Sequence, residues 1–158
     1  MDKDSSERLN LRDIILGGQD GLVNVLGVTL GVAAASGDRR LILAAGLAAA
    51  FAESFSMAAV AYTSSLAGPR AVLDALIVGF SAILGSLIPL LPFVVLPISA
   101  GIKVSLIVSA FSLFLLGVYK SKVTAIPFWR GGFQIALIGL VAALVGYLVG
   151  LLFKVPVE

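Results

Sequence analysis

Apolar residues in this chain fall into long runs, and the polar ones collect at the breaks between them. Residues 14–37 are interrupted by one charge, Asp20, and residues 41–73 only by Glu53 and Arg70. Residues 75–102, 104–119 and 131–153 carry no charge. None of these runs alternates with period two, which argues against a barrel. A membrane-spanning helix needs about 20 apolar residues, so the pattern predicts five, over about 12–36, 40–64, 70–92, 101–121 and 128–153. The run from Ala75 to Ile102 is too long for one simple helix and ends in Pro89, Pro92 and Pro97. A tight turn is therefore placed between Leu96 and Gly101, and the Thr124-Ala125-Ile126-Pro127 break separates the last two helices. The expected fold is all-α, a single polytopic transmembrane domain.

Composition strengthens that picture. The 158 residues are 59% hydrophobic and 13% charged, with a mean hydropathy of +1.10, values that exclude an ordinary soluble domain. The segment MDKDSSERLNLRD is too long and too acidic for the start of a signal peptide, and it is expected to form an exposed lead-in with helical potential of its own. The net charge of +2 sits in the breaks, where basic residues orient a protein in the bilayer, so nucleic acid is not an expected partner. With the N-terminus inside, the cytoplasmic side collects Lys3, Arg8, Arg12, Arg70, Lys120, Lys122 and Arg130 against Arg39, Arg40, Lys103 and Lys154 outside. That bias predicts a cytoplasmic N-terminus and a C-terminus on the opposite side. The chain has neither cysteine nor histidine, which removes disulfides, thiolate and imidazole ligands, and the commonest general base.

Small residues are unevenly shared. The first helix carries Gly17, Gly21, Gly27 and Gly31, the second the run AAGLAAAFAESFSMAAVA, and the fifth Gly132, Gly139, Gly146 and Gly150. Such faces let helices approach closely in lipid, so these three are expected to pack on other helices, one of them at a two-fold interface. The bulkier helices 3 and 4 are expected to face lipid.

Glu53 follows Arg40 by 13 residues and falls near the middle of helix 2. A charge at mid-bilayer costs about 2.5–3.5 kcal/mol on insertion scales, so it normally faces a cavity or a partner. Met57 lies one turn further on the same face, with Tyr62 beyond, and on helix 1 Asp20 has Asn24 one turn on. Two inward carboxylates, an amide and a thioether suit a divalent cation such as Mg, Ca, Mn or Fe(II), the sulfur adding preference for softer metals. A buried carboxyl holds a proton when no cation is present and must lose it to bind one, which is a physical route to metal/proton exchange. Blander readings stand beside this one. Asp20 could cap a helix starting after Gly17-Gly18, Glu53 could be a protonated structural residue, and Met57 could be packing. Gln19, Asn24 and Gln134 could be interhelical hydrogen-bond glue, and Arg70–Asp74 a simple i,i+4 pair.

Several segments resemble the vacuolar iron transporter family, which includes the nodulin-21-like proteins. They are Arg12-Asp13-Ile14-Ile15-Leu16-Gly17 with Asp20-Gly21-Leu22-Val23, then Ala52-Glu53 with Ser56-Met57-Ala58, and Leu84-Gly85 with Leu87-Ile88-Pro89-Leu90-Leu91-Pro92. Phe114-Leu115-Leu116-Gly117 and Trp129-Arg130 with Gly132 continue the likeness, which runs in order from about Arg8 to Phe153 with matching five-helix punctuation. The resemblance implies a homodimeric exporter that moves ferrous iron, and often manganese, out of the cytosol in exchange for protons, with no permanently bound cofactor. By motif, Asp20 and Met57 fall on the family's translocation positions, while the family's helix-2 acids occur at more than one turn before the Ser-Met pair occupied here by Glu53. Two departures stand out: Tyr62 is preceded by Ala61 rather than glutamate, and Gln134 stands where helix 5 could carry an acid. Between helices 2 and 3 only Thr63–Pro69 intervenes, which leaves no room for the cytoplasmic metal-binding insert of plant and fungal-type members. The acids Asp2, Asp4 and Glu7 are then the one cytosolic cluster left, and it is expected to be solvated and weakly organised. Two rival readings are a proton-coupled exporter of organic cations built on Glu53 and a non-transporting membrane assembly protein. Against the first stands the scarcity of aromatics near Glu53 (Phe51, Phe55 and Tyr62). A pure assembly protein has no use for mid-membrane acids.

Overall fold

The computed structural model describes residues 3–65, 69–124 and 127–154, and the side chains of residues 11–65, 69–121 and 127–154. The side chains of Asp2, Asp4 and Glu7, residues 66–68 of the helix 2–3 connection, and Ala125-Ile126 lie outside these sets. Five helices follow one another: α1 (Lys3–Ser36), α2 (Arg39–Ser64), α3 (Ala71–Val95), α4 (Ile98–Thr124) and α5 (Phe128–Leu152). All five are long and apolar enough to cross a membrane, with spans starting at Leu11, Arg39, Ala71, Ile98 and Phe128. The protein is an all-helical, multi-pass membrane protein.

The connections at one end are tight because the caps are good. Gly37 takes φ 61°, a left-handed conformation that glycine adopts without a Cβ penalty, and so ends α1. Asp38 then caps α2, its Oδ1 accepting from the backbone N–H groups of Arg40 at 2.7 Å and Leu41 at 3.4 Å. Arg39 reaches from this corner to the next one and donates to the Leu96 carbonyl at 2.9 Å, between α3 and α4.

Helix α1 is the hub and meets each of the other four helices. Its glycines explain how. A Cβ on Gly17 or Gly21 would collide with the backbone of Val78 or Ala82 in α3, and one on Gly85 would collide with Gly18. On the other side, Gly146 and Gly150 of α5 lie against the backbone of Gly27 and Gly31. Backbone-to-backbone approach of this kind is what small residues supply in lipid, where apolar side chains gain nothing by leaving the hydrocarbon. Each buried cluster also draws on α1: Leu26, Leu30 and Ala33 pack with Ile42, Phe93 and Ala143, Leu22 with Leu113 and Ile135, and Val25 with Ala50 and Leu90.

Three expectations change. Helix α3 turns Phe80, Leu84 and Leu91 outward as expected, but it also buries residues along its whole length, from Ala71 to Phe93, against α1, α2 and α4. Bulk misled the sequence argument, because α3's own Gly79, Ala82, Gly85 and Ser86 form the close seam. Helix α2, by contrast, buries one narrow row, Ile42, Gly46, Ala50 and Ser54, and turns Phe51, Phe55 and Val60 outward. Finally, α3 continues through Pro89 and Pro92 to Val95, and α4 begins at Ile98, so the turn is shorter than the prolines suggested.

Candidate cation site

Helix α1 runs unbroken from Lys3 to Ser36, so Asp20 sits in mid-helix and caps nothing. Asp20 lies off the Gly17–Gly21 row that meets α3: Leu16, Asn24 and Val28, at four-residue spacing around it, are all exposed on the single protomer. Helix α2 brings Glu53 to the same place. The Glu53 carboxyl interacts with the side chains of both Asp20 and Asn24, so two acids and an amide form one polar cluster between α1 and α2. Ser54, next in the chain and about 100° round the helix, bonds its own helix at the Ala50 carbonyl, 2.6 Å.

The other sequence candidates are spread out. Met57 is half-buried one turn along α2 from Glu53, on the same face. Gln19 is half-buried beside Asp20 in sequence, though neighbouring helix positions point about 100° apart. Tyr62 is exposed near the end of α2, and Gln134 is exposed on α5, a helix that joins the bundle through α1 and α4. Among the described residues no group of three or more His, Cys, Asp or Glu side chains gathers around a common point. The protomer's cluster is thus a two-carboxylate site supplemented by an amide.

A second polar group escaped the sequence analysis. At the end of the bundle where α1 starts its span, Asp13 lies within electrostatic reach of Asp74 and Arg70 of α3 and of its neighbour Arg12. Arg70 Nε stands 4.0 Å from Asp74 Oδ1, both side chains mostly buried. The i,i+4 pair is therefore part of an interhelical network rather than a pair on its own. The available signal was the seven-residue spacing of Asp13 and Asp20, which puts both on one face of α1. At this same end the rings of Phe114, Trp129 and Phe133 pack together with centroids 5.4–6.4 Å apart, Trp129 stacked on Phe133 and Phe114 edge-on to Phe133, and Trp129 is 70% exposed. Exposed aromatic rings at a span's end mark the level of the membrane surface.

Comparison with known protein families matches the chain to the VIT family over residues 11–69 and 65–151, which takes in all five spans almost to the end of α5. No curated protein matches the chain at significant similarity. The two matched stretches contain the acid-bearing faces of α1 and α2 as well as the glycine seams that hold them. The chain belongs to the vacuolar iron transporter (VIT) family, a family of metal-ion transporters.

Proposed function

We propose that this protein exports divalent cations, Fe(II) or Mn(II), from the cytosol in exchange for protons, along the face shared by α1 and α2. The observation that carries this reading is the meeting of Asp20, Glu53 and Asn24 deep within two membrane-spanning helices. Placing two carboxyls together in hydrocarbon costs several kcal/mol unless something positive shares the site. A hard divalent cation satisfies both, and in its absence protons do. Cation binding therefore expels protons, and return of protons releases the cation. Met57, one turn along, offers a thioether that favours transition metals over Mg.

The working unit in this proposal is a homodimer. Divalent cations of this size take about six ligands, and two carboxyls with one amide do not supply them. A second copy related by a two-fold axis doubles the set to four carboxylates and two amides. The surface available for it is the outer side of α2, where Ala44, Ala48, Ala52 and Ser56 form an exposed small-residue row, together with the exposed Asn24 and Val28 of α1. The glycines of α1 and α5 are used within the protomer. In the membrane the N-terminus lies on the cytosolic side, following the bias of basic residues toward the Arg12, Arg70, Lys120 and Arg130 end.

The test is metal-driven proton flux in proteoliposomes, compared across Fe(II), Mn(II), Co(II), Zn(II) and Mg(II) and against organic cations. Flux driven by Fe(II) or Mn(II) and not by organic cations supports the reading. Flux driven by organic cations alone makes the protein a different kind of antiporter, and no flux with any of them leaves a membrane assembly protein.

A further inference from the structure

Pro89 and Pro92 sit buried within α3. Proline has no N–H, so the carbonyls of Gly85 and Ile88, four residues earlier, lose their helical donors. Opposite them α4 presents two serines one turn apart, Ser105 and Ser109, both 0% exposed. Several serines of the bundle turn back on their own helix: Ser54, Ser81, Ser86 and Ser121 each donate to the carbonyl four residues earlier, at 2.6–2.9 Å. Ser105 does not. Its Oγ crosses to α3 and donates to the Pro89 carbonyl at 2.8 Å. Ser109 Oγ is the buried side-chain polar atom that has no partner among the described residues. A buried hydroxyl left unsatisfied costs about 1–3 kcal/mol.

The Ser105–Pro89 bond fixes the register of this antiparallel pair. One turn forward on α4 is Ser109, and one turn back on α3 is Gly85, whose carbonyl lies within about 40° of the Pro89 carbonyl around the helix axis. Leu113, a turn beyond Ser109, packs with Leu22 of α1 and Ile135 of α5. By this register an unpaired donor lies level with the stretch of α3 where a carbonyl has lost its own. We propose that the α3–α4 seam holds a structural water, which accepts from Ser109 Oγ and donates to the Gly85 carbonyl. Buried waters of this kind satisfy two to four polar groups and belong to the fold. This one would make the proline-containing stretch of α3 a joint, because a water can exchange partners where a fixed helical bond cannot. The joint lies directly behind the working face of α1: Gly85 touches Gly18, and Ala82 and Ser86 touch Gly21, on either side of Asp20.

Two measurements test the proposal. A high-resolution structure should show an ordered water within hydrogen-bonding distance of both Ser109 Oγ and the Gly85 carbonyl. A dry seam, with Ser109 donating to its own helix at the Ser105 carbonyl, overturns it. Independently, Ser109→Ala should lower Tm by about 2–4 °C, and by less than half as much in a Pro89→Ala background. Alanine at 89 restores an N–H for the Gly85 carbonyl and removes the water's acceptor. Equal losses in the two backgrounds, or no loss from Ser109→Ala, contradict the bridge.

Discussion

Helix α1 has two faces that solve opposite problems. Toward α3 it presents Gly17 and Gly21, further along Gly27 and Gly31 meet α5, and at both places the backbones come together with no side chain between them. Toward α2 it presents Asp20 and Asn24, and Glu53 meets them there. The first face gains van der Waals contact by being closed. The second carries charge-bearing groups that hydrocarbon penalises, and it is tolerable only if a cation, protons or a polar partner occupies it. In the proposed function one helix therefore both holds the bundle together and carries the cation-binding groups.

This division can be broken from either side. The largest effect should come from the closed face. Gly21→Leu drives a side chain into the Ala82 backbone, and overpacking against backbone costs more than the about 1–3 kcal/mol of a side-chain misfit. The variant should fail to give monodisperse folded protein in detergent chromatography. Glu53→Gln, on the open face, should leave that chromatogram unchanged and cut metal-driven proton flux by about tenfold or more, the factor lost with about 1.4 kcal/mol of cation interaction. Met57→Leu keeps the bulk and removes the sulfur, so it should change the ratio of Fe(II) to Mg(II) flux more than the rate with the preferred metal. Asp38→Ala touches neither face. Loss of this cap should lower stability by about 1 kcal/mol, seen as a small fall in Tm with flux per folded protein unchanged.

The closed face was only half legible in the sequence. Five spans follow from the charge-free runs, because hydrocarbon thickness sets helix length whatever the packing. The glycines of α1 and α5 announced close contacts, yet nothing in their spacing says which partner they meet. Helix α3 looked like a lipid-facing helix because Leu and Ile outnumber its two central glycines, and its prolines looked like an end. In the bundle those glycines decide its neighbours, and the helix passes through both prolines with Ser105 bonded to the carbonyl of one. The open face was more legible. An acid in the middle of an apolar run is costly enough to be conspicuous alone, and both Asp20 and Glu53 were visible that way. Their contact was not, since pairing across helices depends on the rotation of α2 about its axis. The Asp13–Arg70–Asp74 network escaped for the same reason: two of its members are local neighbours, and the third arrives from another helix.

The proposal that the open face of α1 is the transport path is tested most directly at Asp20. Asp20→Asn keeps the size and hydrogen-bonding reach of the side chain and removes its charge and its titratable proton. Purified and reconstituted beside wild type, with equal folded protein confirmed by chromatography and thermal unfolding, it should show Fe(II)- or Mn(II)-driven proton flux reduced to background. Wild-type flux in Asp20→Asn liposomes would contradict the account, and the path would have to lie elsewhere in the bundle.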